Sequence, residues 1–259
     1  MEAQIKIKNL TKHFGGIVAV NDLNIDIHKK EILGVIGPNG AGKTTLFNLI
    51  TGFYPSDQGN IFLEGSDLCG LLPHRITKAG IARTFQNIRL FPWMTVLDNV
   101  IVARQVKCRG GFIGACLGTP FIKREEKTTL NKVEEILRYF HLEKKWHFQA
   151  KNLPYGEQRR LEIARALATE PKVLLLDEPT AGMNPAESRD CMDLILNLNE
   201  SLGITILLIE HNMNVLMGIS DKVVVLDHGV KIAEGFPEDI QKNPDVIKAY
   251  LGEDYVKYA

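Results

Sequence analysis

The sequence predicts an α/β protein built on a mainly parallel sheet, with a helical section inserted between two α/β halves. Three observations carry this reading. Short apolar runs alternate with helix-period segments in both halves of the chain. One such run, residues 31–36, ends in Gly37 and a glycine-rich loop that feeds a helical pattern. Between the halves, the strand pattern disappears over residues 97–153, which become charged and amphipathic.

In chain order, residues 5–7 open a short strand. Residues 18–27 place apolar side chains at Val18, Val20, Leu23, Ile25 and Ile27, and the second half of this run alternates as a strand does. Residues 31–36 read as a buried strand and 44–50 as a helix. Residues 60–64 read as a further strand closed by turn residues 65–67. Residues 109–120, rich in glycine and small side chains, predict a loop. Residues 124–140 predict a helix with Leu130, Val133, Leu137 and Phe140 on one stripe. From Leu161 the alternation resumes: helix to 167, strand 173–176, helix 185–202, strand 204–209, helix 213–219, strands 223–226 and 230–233, and helix over 237–251. The expected division is one domain over 1–259. Its α/β core with a β portion comprises 1–94 and 161–259, and its helical subdomain is 95–160.

Composition narrows the function classes. The 259 residues are 45% hydrophobic and 24% charged, enough to bury a core without disulfides. Thirty-one Lys and Arg balance thirty-one Asp and Glu, which argues against a nucleic-acid partner drawn by an overall basic field. Cys69, Cys108, Cys116 and Cys191 are scattered without a C-x-x-C pair, as in a reduced, cytoplasmic protein. Residues 1–10 lack the apolar core of a signal peptide. No apolar run approaches the roughly 18 residues of a membrane span. The histidines form no ligand-spaced cluster, so no protein-built metal site is expected.

The chemistry begins at Gly37-Pro38-Asn39-Gly40-Ala41-Gly42-Lys43-Thr44-Thr45, a full G-x-x-x-x-G-K-[ST] between a strand and a helix. Glycines let backbone N–H groups close around phosphate oxygens, and the helix N-terminus adds a favourable dipole. Lys43 is a point charge for the outer phosphates, and the Thr44 hydroxyl suits Mg²⁺, a hard cation. The apolar strand 173–176 ends in Asp177 and Glu178. Alone these are unremarkable acids at a strand mouth. Beside a phosphate loop, Asp177 can hold Mg²⁺ and Glu178 can polarise an attacking water. Leu153-Pro154-Tyr155-Gly156-Glu157-Gln158-Arg159-Arg160 then opens a helix with a glycine at its start.

Taken with the phosphate loop, this last segment resembles the signature motif of ATP-binding cassette (ABC) ATPases. Their remaining motifs are present in order: Thr84-Phe85-Gln86, Asp177-Glu178, Ala181-Gly182-Met183-Asn184 and Ile209-Glu210-His211. The resemblance implies an N-terminal antiparallel β portion and ATP and Mg²⁺ as cofactors. It implies catalytic roles for Glu178, His211 and Gln86, and metal contacts from Thr44, Gln86 and Asp177. Phe14 would stack on adenine, the plainer alternative being a core or edge aromatic. Tyr155, Gly156 and Glu157 would close on the γ-phosphate bound by a second subunit. Pro154 stands where the family usually has Ser, which removes one hydroxyl and one N–H, and Asn184 stands where Asp is usual.

Segments 51–54, 83–91, 155–165, 209–213 and 243–252 are more particularly similar to the ATP-binding subunits of bacterial branched-chain amino acid importers. Near relatives of that group serve urea, amides or other amino acids. The implied partners are a second ABC ATPase subunit, membrane permeases and, indirectly, a solute-binding protein. The implied location is cytoplasmic, peripheral on the inner face of the membrane. A non-transport ABC ATPase is the rival, but the chain lacks the long coiled-coil insertion of chromosome types and the paired cassettes of translation types. A cassette that binds ATP without hydrolysing it is disfavoured by Glu178 and His211. Phe91, Pro92 and Trp93 suit a partner helix from a permease, the plainer alternative being packing under the helical section. Arg159–Arg160 and Lys144–Lys145 are expected to be solvated faces.

Overall fold

Strands β1 (Ala3–Phe14) and β2 (Ile17–His28) pair antiparallel, and β1 pairs again with β4 (Gln58–Leu63), which turns into β5 (Ser66–Asp67). A second sheet has six strands in the order β10-β9-β3-β8-β7-β6. It comprises β3 (Ile32–Ile36), β6 (Ile81–Arg83), β7 (Val173–Asp177), β8 (Thr205–Ile209), β9 (Lys222–Asp227) and β10 (Val230–Gly235). Its pairings are parallel except for the edge pair β9–β10. This computed structural model describes residues 3–108 and 120–251.

Every residue of β3, β7 and β8 is buried, because both faces of the sheet are covered. Strand alternation divides the core. Val173 and Leu175 pack with the antiparallel sheet and with α1 (Lys43–Ile50), while Leu174 and Leu176 face the helical side. That side holds α3 (Val96–Arg104), α4 (Pro120–Tyr139), α5 (Tyr155–Leu167), α6 (Pro185–Leu202) and α7 (Met213–Ile219).

The observed elements refine the expectations in places. β1 is twelve residues long rather than a three-residue opening, because β2 and β4 flank it on both edges. The stripe on α4 is buried at Val133 and Leu137 and continues to Phe140, but Leu130, one turn earlier, is 42% exposed. The single helix expected over 237–251 is two, α8 (Pro237–Lys242) and α9 (Pro244–Leu251). Asn243 separates them: the residue before a proline is driven from helical φ/ψ, and its side chain accepts from Asp245 N–H at 2.9 Å. The expected boundary at 160 falls within α5, which runs unbroken to Leu167. Short α2 (Pro73–Ala79) and β6 had no clear signal. The expected loop lies, over 109–119, outside the described residues.

Candidate active site

The carboxyl ends of β3, β7 and β8, adjacent in the sheet, deliver three motifs to one crevice, the place where ligands bind in open α/β sheets. From β3 the chain turns through Gly37 at φ +151°, where a Cβ would stand 2.1 Å from Leu226 O, so only glycine fits. Gly42, at φ +100°, caps α1 with no side-chain hydrogen bond, which leaves the first N–H groups of α1 without a capping side chain. Gly40, Asn39 and Thr44 are exposed, Pro38 and Thr45 half-buried, and Ala41 buried. The Lys43 ammonium folds back over this loop and donates to Gly37 O (2.7 Å) and Pro38 O (2.9 Å). Burial lowers its pKa, and the charges of Glu178 and Asp177 oppose that shift, so both carboxylates act on the loop lysine.

Glu178 sits in a left-handed backbone conformation at φ +49°, and its N–H donates to Ile209 O at 2.9 Å across the β7–β8 register. Strain of this kind in a non-glycine residue persists where surrounding structure imposes it. Gln86 Nε2 donates to Glu178 Oε2 at 2.9 Å, and His211 Nε2 lies 2.8 Å from Glu178 Oε1. The three residues expected to be catalytic therefore converge on one carboxylate. Glu210, buried beside His211, accepts from the Thr180 N–H and hydroxyl at 2.9 and 2.6 Å, which ties the loop after Glu178 to the end of β8.

Asp177 is buried, and its Oδ2 accepts from Arg83 Nη2 at 2.8 Å; Arg83 Nη1 also donates to Asn48 Oδ1 at 2.6 Å. Phe14 is 39% exposed, so it is not a core residue. Its ring meets Tyr54 edge-on at 5.1 Å.

The signature residues gather elsewhere in the chain. Pro154 caps α5, and its carbonyl accepts from the N–H groups of Glu157 and Gln158 at 3.0 Å each. A Cβ on Gly182 would come within 3.3 Å of the Tyr155 ring, and one on Gly156 within 3.4 Å of Glu187 Oε1. Among the described residues no hydrogen bond joins 154–157 to 37–45. Glu157 is ion-paired with Lys145 at 2.6 Å. Asn184 does the capping work of an acid: it accepts from Ala186 and Glu187 N–H, and Glu187 answers in a capping box.

Two expectations need correction. Arg159 is not a solvated face: it has no exposed surface. Its guanidinium donates to Phe85 O (2.6 Å), Gln86 O (2.8 Å) and Glu162 Oε2 (2.7 Å). Burial raises the Glu162 pKa, and the Arg159 charge pulls it back. Lys145 is likewise half-buried in its ion pair. The one available signal for Arg159 was its i,i+3 spacing to Glu162 on an otherwise apolar helix face. Nothing local flagged Arg83 or Glu210.

A lysine-bearing glycine loop facing two strand-end acids, one of them held by a glutamine and a histidine, belongs to the P-loop nucleotide hydrolases. The chain belongs to the ABC transporter family. Residues 20–181 match the family described as "ABC transporter", and residues 230–256 match "Branched-chain amino acid ATP-binding cassette transporter". It is an ATPase cassette of that family. It is 46% identical over 249 residues to LivG of Escherichia coli K12 and 45% identical to BraF of Pseudomonas aeruginosa. Both are described as high-affinity branched-chain amino acid transport ATP-binding proteins, and each match covers 96% of this chain and 98% of the relative. A solved ATP-binding cassette of an ABC transporter in its ADP conformation superimposes with a TM-score of 0.84 at 33% identity, covering 98% of this chain and all of that one. A dimeric bacterial ABC transporter cassette gives 0.76 at 29% identity, covering 90% and 98%. No helix among the described residues is long and apolar enough to cross a membrane.

Proposed function

We propose that this chain hydrolyses ATP to drive import of branched-chain, hydrophobic amino acids, working as one of a pair of cassettes beneath membrane permeases. The observation that carries the chemistry is the Glu178 carboxylate held between Gln86 at 2.9 Å and His211 at 2.8 Å. The solute class is inferred from the relatives' names and the C-terminal family match.

The residues present fit a nucleotide with Mg²⁺. The loop's glycines and uncapped α1 N-terminus supply main-chain donors, and the exposed Thr44 supplies a hard oxygen. When bound, Mg²⁺ would neutralise charge on the phosphates, with Thr44, Asp177 and Gln86 as its holders. Lys43 exchanges its carbonyl contacts for the outer phosphates. Glu178 accepts a proton from the attacking water, and His211 and Gln86 keep its carboxylate aimed. Phe14, exposed at the end of β1, offers its face to the base.

Tyr155 and Gly156 would serve a nucleotide bound by a second subunit, in keeping with the lack of any hydrogen bond from 154–157 to 37–45 among the described residues. Glu157, ion-paired with Lys145, would join them there. Closure of the pair on ATP and opening after hydrolysis then pass through the helical section, and the exposed Phe91 and Trp93 that lead into it receive the permease. The pair sits on the cytoplasmic face of the membrane, and a solute-binding protein acts indirectly through the permeases.

Reconstitution with branched-chain amino acid permeases tests this reading. Leucine, isoleucine or valine on their binding protein should stimulate ATP hydrolysis and be taken up. Stimulation by urea or short amides alone would replace the solute assignment. ATPase activity with no response in any permease complex would point to a non-transport role.

A further inference from the structure

We propose that Tyr250, on the C-terminal helix α9, is a positioning residue for the nucleotide loop, holding the first residue of that loop by its main-chain N–H. This rests on the reading of residues 37–45 as the nucleotide loop. Gly37 N–H donates to Tyr250 Oη at 2.7 Å, across 213 residues of sequence. The carbonyl of the same glycine accepts from Lys43 Nζ at 2.7 Å. Both polar groups of Gly37 are therefore held by side chains, one from inside the loop and one from the far end of the chain. The glycine has no lateral freedom, because Leu226 O occupies the place of a Cβ.

The two holds differ in one respect. Lys43 is the loop's cation, and when its ammonium turns to a phosphate the Gly37 carbonyl loses that contact. The Tyr250 hydroxyl is neutral, offers no charge for a phosphate to draw away, and can stay on Gly37 N–H throughout. It then anchors the strand-to-loop junction while the lysine is drawn away. Elsewhere α9 and the loop stand apart: a cavity of about 620 Å³ separates Pro38, Asn39 and Ala41 from Asp245, Lys248 and Ala249. The hydroxyl reaches past it to the main chain. The helix that supplies it lies in the 230–256 segment, outside the general cassette match of residues 20–181.

Because Lys43 leaves the Gly37 carbonyl on binding, the α9 hold matters more in the bound state, so nucleotide and the α9 contact should each favour the other by the same factor. Tyr250→Phe keeps the ring and removes the acceptor. In the full chain it should weaken MgADP binding, measured by calorimetry, about fivefold, the scale of one hydrogen bond. KM for ATP should rise with kcat unchanged, and the nucleotide-free melting temperature should fall no further than the loss of one hydrogen bond accounts for. The Gly37 amide, read by hydrogen exchange, should lose protection, and MgADP should no longer slow exchange in residues 244–251. Tyr250→Ala should show the same binding defect. Wild-type affinity and KM in Tyr250→Phe, in a chain where Lys43→Ala abolishes MgADP binding, would overturn this inference alone. Equal losses of melting temperature in both tyrosine variants without a change in affinity would make the residue a packing element, which also overturns it. MgADP binding that survives Lys43→Ala would remove the nucleotide-loop reading and this inference with it.

Discussion

Arg159, on the signature helix, donates to the main-chain oxygen of Phe85 at 2.6 Å from a side chain with no exposed surface. Its second terminal nitrogen reaches Gln86 O at 2.8 Å and, more weakly, Glu178 O at 3.4 Å. One guanidinium therefore ties together α5, the loop of Gln86 and the strand end bearing Glu178. Glu162 completes the joint, its Oε1 accepting from the N–H groups of Phe85 and Arg89 at 3.4 and 3.2 Å.

Arg159→Ala should leave Glu162 as an uncompensated buried charge and cost about 3–5 kcal/mol. Urea unfolding of the isolated chain checks this. Arg159→Lys, which keeps the charge but loses the planar fork, should recover part of the stability yet remain slow in hydrolysis. A loss under 1 kcal/mol for the alanine variant would contradict the joint.

Glu178→Gln keeps the shape and a partner for His211 but removes the base. Hydrolysis should fall about 10²–10⁴-fold with MgATP binding retained. With the next step blocked, ATP-bound pairs should accumulate and elute as dimers in gel filtration with MgATP. Unchanged turnover would remove Glu178 from its role.

Lys43→Ala should abolish tight nucleotide binding, read by calorimetry with MgADP, and Lys43→Arg should not restore it, since a planar fork does not replace a compact ammonium in this loop. The nucleotide-free chain should lose no more than the worth of the lysine's two hydrogen bonds to carbonyls, about 1–3 kcal/mol.

Trp93 is 71% exposed, and Lys151 Nζ stands 3.2 Å from its ring centroid. Trp93→Ala should change free-chain stability by no more than about 1 kcal/mol. Solute-stimulated ATPase activity of the reconstituted complex should fall while basal activity holds. A large drop in melting temperature with coupling intact would return this residue to a packing role.

Pro154 caps α5 without a side-chain bond, three residues before Glu157. Pro154→Ser would supply a capping hydroxyl at this spacing and should add up to about 1 kcal/mol, with activity within a few-fold of wild type. Gly156→Asp should do much more harm. Its Cβ would stand 3.4 Å from Glu187 Oε1, so a second carboxylate would press on the capping box of α6 and face an incoming phosphate. Thermal melting and phosphate release on both variants separate the two effects.

The fold class, the strand-to-helix phosphate loop and the acid pair were legible in sequence, because each depends on short-range requirements. Buried strands need unbroken apolar runs, a loop with its N–H groups turned inward needs glycine, and α6 begins where Asn184 and Glu187 form a local box. The break at Asn243 is legible in principle from the following proline, though the helical pattern over 237–251 by itself predicts one helix. What the tertiary structure alone decided is which polar residues lie inside. Arg83 meets Asp177 across 94 residues, Arg159 meets Phe85 across 74, and Tyr250 meets Gly37 across 213. An arginine on a charged helix has the same local pattern whether water or a carbonyl receives it. Only the packing of α5 against the Gln86 loop, which removes the water, turns Arg159 from a surface charge into a joint between α5 and the strand end bearing Glu178.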